Sequence, residues 1–372
     1  MFASLSSSSK RAVGYPVRVV YFVEGSSFGG VERHLLHILD ELDHQRFDPF
    51  VIGVMAGELE QELRARRLPF ARLDPIRSNI DLLGVFRAFR AVRNARPKVF
   101  HAMLSHSHAA QYALLAAMAI RTPAIVVTAH LPTSLVHRWR VWFGRLVFRG
   151  VDVQILPSEW TKAELVRLGQ LQPRYEIVPN GIDLPPLYSR EDARKQLGIA
   201  STATVIGGSM RLVDWKRPEL IIDVARDIPD AVAVILGEGP EEANLRSVAR
   251  GVDLRLPGFR ADAIRLLPAF DVFVHPCPVD NQPLAVLEAM AAALPVIVAD
   301  QGGAASMVEN GRTGLTASAS AQGLSSAVRR VLDEPGLGAR LGAAAQAEVL
   351  SKFTTQTMTR RLEEIYERLL AR

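Results

Sequence analysis

The chain has one cysteine, Cys277, among its 372 residues. A single cysteine excludes an intramolecular disulfide and fits a reducing compartment, which predicts a cytoplasmic protein. The serine-rich residues 1–10 contain no apolar core, so no signal peptide is predicted. The chain also lacks a run of about 20 apolar residues, so no transmembrane helix is expected.

Internal repeats and metal-ligand clusters are also missing from the sequence. No segment repeats at the periods of solenoid proteins. His101, His106 and His108 are the histidines that suggest a metal site. His106 and His108 cannot share a helix face, and no carboxylate or cysteine cluster surrounds the three residues. We therefore predict no metal site and no metal cofactor.

Positive charge is concentrated in the first half of the chain. Residues 1–183 contain 23 Lys and Arg against 16 Asp and Glu, whereas residues 184–372 contain 21 against 23. Between residues 60 and 150 the counts are 15 and 4. This excess predicts an anionic partner such as a lipid headgroup, an acidic glycan or a nucleic acid, with a solvated arginine-rich surface as the alternative. No nucleic-acid-binding signature accompanies the charge, which argues against a nucleic acid.

The length and the pattern of apolar runs predict two α/β domains. Single cores stop growing near ~250–300 residues, and strands alternate with helices in both halves of the chain. Such alternation is typical of parallel sheets with right-handed crossovers. The prolines Pro185 and Pro186 fit a hinge. The predicted divisions are a disordered tail 1–14, a first domain 15–184, a second domain 185–353 and a closing helix 354–372.

Residues 271–300 are the most informative segment. They predict a buried strand at 272–275, a loop with Asp280, and an apolar helix at 284–293 interrupted by Glu288. A buried carboxylate is costly unless something pairs with it, and a helix N-terminus attracts anions. Open α/β sheets bind ligands where parallel strands end. The alternative is a Glu288 paired within the core and a solvated Asp280.

Three other loops contain candidate ligand contacts. Residues 25–30, GSSFGG, form a glycine loop between a strand and a helix, although they do not match the dinucleotide fingerprint. Arg211 and Lys216 follow a strand and can converge on a diphosphate, with ordinary surface cations as the alternative. His130 ends a strand and is expected to face a ligand crevice, with a structural hydrogen bond as the alternative.

Several motifs resemble those of a known family. Glu288-Ala289-Met290-Ala291 and Pro295-Val296 resemble the acidic motif of retaining GT-B glycosyltransferases, family 4. Asp280 replaces the first glutamate of that motif, and Asn281-Gln282-Pro283 replaces its Gly-Phe-Gly. Further similar motifs are Gly29–Arg33, Tyr175–Asp183, Gly237–Pro240, Leu256–Arg260, Gln301–Gly303 and Asn310–Gly314, so the resemblance spans residues 17–370.

The resemblance implies a GT-B fold, in which two Rossmann-like, doubly wound parallel-sheet domains face a central cleft. It also implies a nucleotide-diphosphate sugar as co-substrate, a glycan or lipid-linked acceptor, retention of anomeric configuration, a role in polysaccharide biosynthesis and no metal. Glu288 would hold the ribose, and His130 and Asp280 the sugar. The other implied donor contacts are Arg211, Lys216, Leu284 and Ala285 at the diphosphate, Gly29, Gly30 and Gly237 nearby, and Gly258, Phe259 and Arg260 at the base.

A basic aromatic segment, residues 137–149, predicts peripheral membrane binding. Trp139, Trp142 and Leu146 share one helical stripe, and Arg138 and Arg145 share another. Such a helix can lie in the interface of an anionic membrane, here the inner membrane face. Packing of the apolar stripe into the first domain is the alternative.

The same residues bear on three other possible functions. A glycosidase uses two carboxylates but does not account for Arg211 and Lys216. A nicotinamide-dependent dehydrogenase would need a dinucleotide fingerprint after the first strand, which is missing. A catalytically weak nucleotide-sugar-binding or scaffold protein of the same fold is suggested by Asp280 in place of glutamate. The base, sugar and acceptor depend on pocket shape, which sequence motifs do not specify.

Overall fold

A computed structural model describes residues 16–25, 28–75, 82–105, 110–132, 144 and 146–372. The predicted tail 1–14, His106, His108 and most of the predicted 137–149 helix lie outside these ranges.

The first lobe is built on a parallel seven-stranded sheet with the order β3-β2-β1-β4-β5-β6-β7. All residues of β4 and β5 are buried, as continuous apolar strands covered on both faces require. The strand order reverses beside β1, which is the kind of position where open sheets bind ligands. The strands are β1 (Val17–Glu24), β2 (Phe47–Val54), β3 (Phe70–Arg72), β4 (Val99–Leu104), β5 (Ala124–Ala129), β6 (Val153–Leu156) and β7 (Tyr175–Ile177).

Helices cover this sheet. The first buries Leu35, Ile38 and Leu39 at helical spacing against the strands. Ser158 caps the last of them by accepting a hydrogen bond from the Thr161 N–H. The described helices of the lobe are α1 (Gly30–Glu41), α2 (Gly57–Ala65), α3 (Leu82–Ala95), α4 (Gln111–Ala119) and α5 (Glu159–Arg167).

The second lobe has a parallel six-stranded sheet with the order β10-β9-β8-β11-β12-β13. Its strands are β8 (Thr204–Ser209), β9 (Ala231–Leu236), β10 (Asp253–Arg255), β11 (Val272–His275), β12 (Val296–Ala299) and β13 (Leu315–Ala317). Its helices are α6 (Arg190–Leu197), α7 (Glu219–Asp227), α8 (Glu242–Val248), α9 (Ala263–Leu266), α10 (Leu284–Ala291), α11 (Gly302–Ala305), α12 (Ala321–Asp333) and α13 (Leu337–Lys352), with short 3₁₀ turns at Asp214–Lys216 and Leu267–Ala269.

The last helix, α14 (Thr355–Leu370), packs against the first lobe. Its residues Leu362, Ile365 and Tyr366 are buried in the core formed by β1 and α1. The chain crosses itself on the way, because a Cβ at Gly181 would lie 2.4 Å from the carbonyl oxygen of Thr354. Residues at the end of the chain therefore complete the core of the first lobe.

The predicted fold class is confirmed: both sheets are parallel and the helices are interleaved with their strands. The predicted end of the helix at residue 293 is wrong. Helix α10 ends at Ala291, and Ala293 has a φ of 58°, outside the helical region. Pro283 precedes the helix with ψ at 123° and is therefore its cap rather than its first residue.

Candidate active site

The candidate site lies where the carboxyl ends of the two sheets meet. Loops that follow β5 and β11 contact each other, and α1 contacts α10. We call this contact region the interlobe seam. Its residues are Arg33, His130, Ser158, Thr161 and Asn180 from the first lobe and Asn281, Gln282 and Glu288 from the second.

Glu288 lies in α10 with 4% of its surface exposed. Its Oε1 accepts a hydrogen bond from Arg33 Nη1 at 2.9 Å, and the Arg33 side chain is 38% exposed. Within the described ranges, Oε2 has no hydrogen-bond partner. The alternative predicted for Glu288, a salt bridge within the core, agrees with this pair, although the partner comes from the other lobe. A buried carboxylate at this position is costly without its cation.

Asp280 is buried in the middle of the loop between β11 and α10. Lys216 Nζ contacts its Oδ2, and His275 Nε2 lies 3.2 Å from the same oxygen. Burial acts to raise the pKa of Asp280, but the charge of Lys216 and the proximity of His275 outweigh it and hold the pKa well below its usual range. The predicted alternative of a solvated Asp280 is therefore wrong.

Asp280 belongs to a group of three possible metal ligands. The sequence did not predict this group. One ligand atom each from His275, Cys277 and Asp280 lies within 4.8 Å of the others. The ammonium of Lys216 already contacts this carboxylate, where a divalent cation would need to bind. Burial raises the pKa of the Cys277 thiol to about 11, so it remains protonated at neutral pH. The geometry therefore favours a lysine-neutralised carboxylate over a metal centre.

Donors that have no partner among the described residues lie at the same carboxyl end of the second sheet. The Arg211 side chain is exposed, and its guanidinium has no hydrogen bond or ion pair in the described part of the chain. The N–H groups of Leu284 and Ala285, at the start of α10, likewise lack an acceptor among the described residues. The next two N–H groups, those of Val286 and Leu287, both donate to Pro283 O. Free amides at a helix start and a free guanidinium can bind phosphate oxygens.

His130 follows β5 and faces α1. Its ring lies edge-on to His34 with 4.8 Å between the ring centroids. Its Nε2 is shielded from solvent and has no hydrogen-bond partner in the described ranges. Burial lowers the pKa of His130 to about 4, so the imidazole is neutral at physiological pH. A neutral imidazole with an unused nitrogen can bind a sugar hydroxyl.

The glycine loop before α1 leaves one backbone position open. The Gly29 N–H donates to Glu32 Oε2 at 2.9 Å, which is one half of a capping box, because glycine has no side chain to make the reciprocal bond. A Cβ added at Gly30 would meet nothing within 4 Å. Gly30 therefore presents bare backbone that a ligand can approach.

The predicted base loop is joined to the turn after β9. The Gly237 N–H donates to Gly258 O at 3.0 Å, and a Cβ at Gly237 would lie 1.9 Å from Met210 O. Phe259 is 51% exposed, whereas the guanidinium of Arg260 is hydrogen-bonded to neighbouring side chains. Phe259 is therefore the residue of this loop most available for stacking on a base.

Sequence reasoning assigned no role to Arg33 or His34, although the structure brings both to the site. Arg33 was visible as the last residue of the motif that begins at Gly29. In contrast, His101 is buried in the core, where Nδ1 lies 2.6 Å from Tyr366 Oη and Nε2 lies 2.7 Å from Thr128 Oγ1. Both of its ring nitrogens are engaged there.

Two sequence families match most of the chain. Glycosyltransferase Family 4 matches residues 28–185, and Glycosyl transferases group 1 matches residues 189–348. None of the helices in the described ranges combines the length and apolarity needed to cross a membrane.

Curated relatives are glycosyltransferases. The GDP-mannose-dependent monoacylated alpha-(1-6)-phosphatidylinositol monomannoside mannosyltransferase of Corynebacterium glutamicum is 30% identical over 238 residues, which are 58% of this chain and 62% of that enzyme. The match thus spans less than two thirds of that relative. The UDP-Gal:alpha-D-GlcNAc-diphosphoundecaprenol alpha-1,3-galactosyltransferase of Escherichia coli is 26% identical over 314 residues, 76% of this chain and 79% of that enzyme.

Solved structures share the fold. The Anabaena protein HepE in complex with UDP and glucose superimposes with a TM-score of 0.81 at 21% identity, over 94% of this chain and 99% of that one. A glycosyltransferase from Rickettsia africae gives 0.82 at 16% identity, over 95% and 99%. With both domain families matched in order and two parallel-sheet lobes, the chain belongs to the GT-B glycosyltransferases of family 4 and group 1.

Proposed function

We propose that this protein transfers a hexosyl group from a nucleotide-diphosphate sugar to a glycan or lipid-linked acceptor, with retention of anomeric configuration. One observation carries the proposal. The free N–H groups of Leu284 and Ala285 lie in the chain between two buried carboxylates, Asp280 and Glu288, and the exposed guanidinium of Arg211 likewise follows a strand at the carboxyl end of the second sheet. The cation and the amides can bind a diphosphate, and the two carboxylates can accept hydrogen bonds from the hydroxyl groups of an attached ribose and sugar.

The proposed reaction depends on stabilising the negative charge of the leaving diphosphate. As the sugar–phosphate bond breaks, negative charge grows on the diphosphate, and Arg211, Lys216 and the amides at the start of α10 stabilise it. These groups supply the positive charge without a metal ion. The free Oε2 of Glu288 would accept hydrogen bonds from the ribose. His130 and Asp280 would hold the sugar, and no protein nucleophile is assigned.

The names of the relatives narrow the donor and acceptor. The Corynebacterium enzyme uses GDP-mannose and the Escherichia coli enzyme uses UDP-Gal. Both act on lipids, a phosphatidylinositol mannoside and a diphosphoundecaprenol sugar. These names support UDP or GDP as the nucleotide and a lipid-linked acceptor for this chain.

The test is a calorimetric titration with UDP, GDP and ADP of the wild type, Glu288→Gln and Glu288→Ala. We expect one nucleotide to bind at micromolar concentrations and both variants to lose about tenfold or more in affinity, because a charge-assisted hydrogen bond contributes about 1.5–3 kcal/mol. Equal affinity of all three proteins would remove Glu288 from the ribose site. Binding of none of the three nucleotides would favour the scaffold function.

A catalytically weak sugar-nucleotide-binding protein is the second candidate. It is favoured by the engagement of Asp280 with Lys216 and His275, which leaves this carboxylate less available to a sugar. Donor turnover by Asp280→Glu and Asp280→Ala separates the two functions. An increase with glutamate supports the weak-binding candidate, and unchanged turnover with alanine would show that Asp280 does not contact the sugar.

We also propose that α3 docks the first lobe on an anionic membrane. Leu83 and Phe86 are 74% and 60% exposed, and the exposed Arg90 and Arg93 continue the same helical stripe. A shallow cavity of about 760 Å³ beside them is lined by Arg90, Arg93 and Arg96. Within the described residues, Arg90, Arg93 and Arg96 form no ion pair, and apolar side chains next to such arginines suit the interface of an anionic bilayer.

Vesicle co-sedimentation tests the docking surface. We expect binding to phosphatidylglycerol-containing vesicles that weakens with salt and is largely lost in Arg90→Glu/Arg93→Glu, because each cation near the surface contributes roughly 1 kcal/mol. The control is Arg250→Glu/Arg340→Glu on the second lobe. Equal binding to pure phosphatidylcholine, or equal loss in both double variants, would contradict the proposal.

A further inference from the structure

The loop between β11 and α10 makes direct hydrogen bonds to the first lobe. Asn281 and Gln282 stand where the family motif has Gly-Phe, and they are only 4% and 7% exposed. Gln282 Oε1 accepts from the Asn180 N–H at 2.6 Å, and Gln282 O accepts from Asn180 Nδ2 at 3.0 Å. Two hydrogen bonds therefore connect the loop that contains Asp280 to Asn180, in the segment where the chain leaves the first lobe.

Asn281 uses both ends of its amide across the seam. Its Oδ1 accepts from Ser158 Oγ at 2.9 Å and from Thr161 Oγ1, both at the start of α5. Its Nδ2 donates to His130 O at 2.7 Å. The orientation of the amide follows from chemistry, because a carbonyl can only accept and the amide nitrogen can only donate.

The backbone of the same loop is fixed on its other side by the second lobe. The Gly303 N–H donates to Asp280 O at 2.6 Å, and a Cβ at Gly303 would lie 1.5 Å from Asn281 O. Any side chain at Gly303 would therefore displace the loop. Asn281 is thus held rigidly in the second lobe while its amide reaches into the first.

His130 is the element of the first lobe that this amide holds. The His130 carbonyl accepts from Asn281, its N–H donates to Leu104 O at 3.1 Å, and its ring lies against His34. Separation of the lobes would break the bond to Asn281 and leave the His130 backbone held only by its N–H bond to Leu104. The position of the imidazole therefore depends on closure of the seam.

We propose that Asn281 is a positioning residue, which links closure of the two lobes to placement of the His130 ring for the donor sugar. The proposal rests on the glycosyltransferase function proposed above for His130. This role would also account for the two amides, Asn281 and Gln282, that replace the Gly-Phe of the family motif. Nucleotide binding depends on Arg211, Lys216 and Glu288, so it should not require this amide.

The informative substitution is Asn281→Asp. A carboxylate keeps the acceptor for Ser158 and Thr161 but opposes the His130 carbonyl with a negative charge. Thr161→Val is the matched control, because it removes one hydroxyl donor at the same amide without touching His130. Asn281→Ser, which is neutral and too short to reach, replaces the aspartate variant if that variant does not fold.

Solution scattering of the unliganded proteins tests the link between the lobes. We expect a larger radius of gyration for Asn281→Asp than for the wild type and little change for Thr161→Val. Superimposable profiles of wild type and Asn281→Asp would overturn the link. This readout needs no ligand, so it stands even if the proposed transferase function fails.

Turnover of UDP-glucose and GDP-mannose tests the action through His130. We expect kcat of Asn281→Asp to fall about tenfold or more, while Kd for UDP or GDP stays within about threefold of the wild type. In a His130→Ala background, Asn281→Asp should add almost no further loss. Additive losses, or a parallel loss of nucleotide affinity, would overturn the positioning role. If the wild type binds none of UDP, GDP and ADP, the transferase proposal fails instead.

Discussion

The two buried carboxylates of the site differ in where their partners come from. Asp280 is neutralised within its own lobe by Lys216, with His275 nearby. Glu288 is paired across the seam with Arg33, which is 38% exposed. The first pair persists whether or not the lobes meet, whereas the second exists only when they do. One carboxylate is thus part of a fixed cluster, and the other depends on closure.

The largest effect is expected at the fixed pair. Lys216→Ala would leave Asp280 buried beside a neutral histidine and remove a cation from the leaving group. We expect donor turnover to fall about 10²–10³-fold and the free energy of unfolding to fall by about 3–5 kcal/mol. Initial rates and urea denaturation measure the two effects. Lys216→Arg is the control and should retain most of the stability.

The pair across the seam should matter less for stability. In Arg33→Ala, the lobes can part and hydrate Glu288, so we expect a loss of about 1 kcal/mol in urea denaturation. If Arg33→Ala lost as much stability as Lys216→Ala, Glu288 would have stayed buried without its partner. That result would contradict the idea that the Arg33–Glu288 pair depends on closure of the lobes.

The buried histidines and Asp280 should lose their contributions to stability in different pH ranges. Burial lowers the pKa of His101 to about 3 and that of His130 to about 4, so their neutral forms stabilise the fold fully above pH 6.5 and progressively less as pH falls through these values. Asp280 has a lowered pKa, so its contribution is lost only below its ordinary value of 3.8.

We therefore expect the free energy of unfolding to decline between pH 6.5 and 4, with a smaller slope in His101→Gln. Urea denaturation across this range provides the measurement. An identical slope in the variant would mean that His101 is not the group that takes up the proton on unfolding.

The smallest effect is expected at Cys277. Its thiol pKa is raised to about 11 and its Sγ donates to Trp215 O at 3.4 Å, so serine can replace it with the same donor. We expect Cys277→Ser to keep turnover within about threefold of the wild type, since volume-conserving changes are tolerated. Inactivation by this change would indicate a role for the thiol beyond packing.

The local character of the site could be predicted from the sequence. The apolar residues on every side of Glu288 indicated a buried helix, and the loop positions of Asp280 and His130 at strand ends followed from parallel-sheet geometry.

The pairings could not be predicted, because they join residues far apart in the chain. Arg33 and Glu288 are separated by 255 positions, and Lys216 and Asp280 by 64. No periodicity or spacing rule reaches that far. The amides of Asn281 and Gln282 were visible as a departure from the family motif, but their partners depend on how two separately folded sheets meet.

The return of α14 to the first lobe has a consequence for synthesis of the protein. Leu362, Ile365 and Tyr366 fill the core beneath β1 and α1, although the whole second lobe is translated before them. The first lobe therefore emerges from the ribosome with an uncovered apolar face and becomes complete only after the second has been made. A nascent chain stalled before residue 355 should therefore keep this apolar face exposed and bind chaperones that recognise such surfaces.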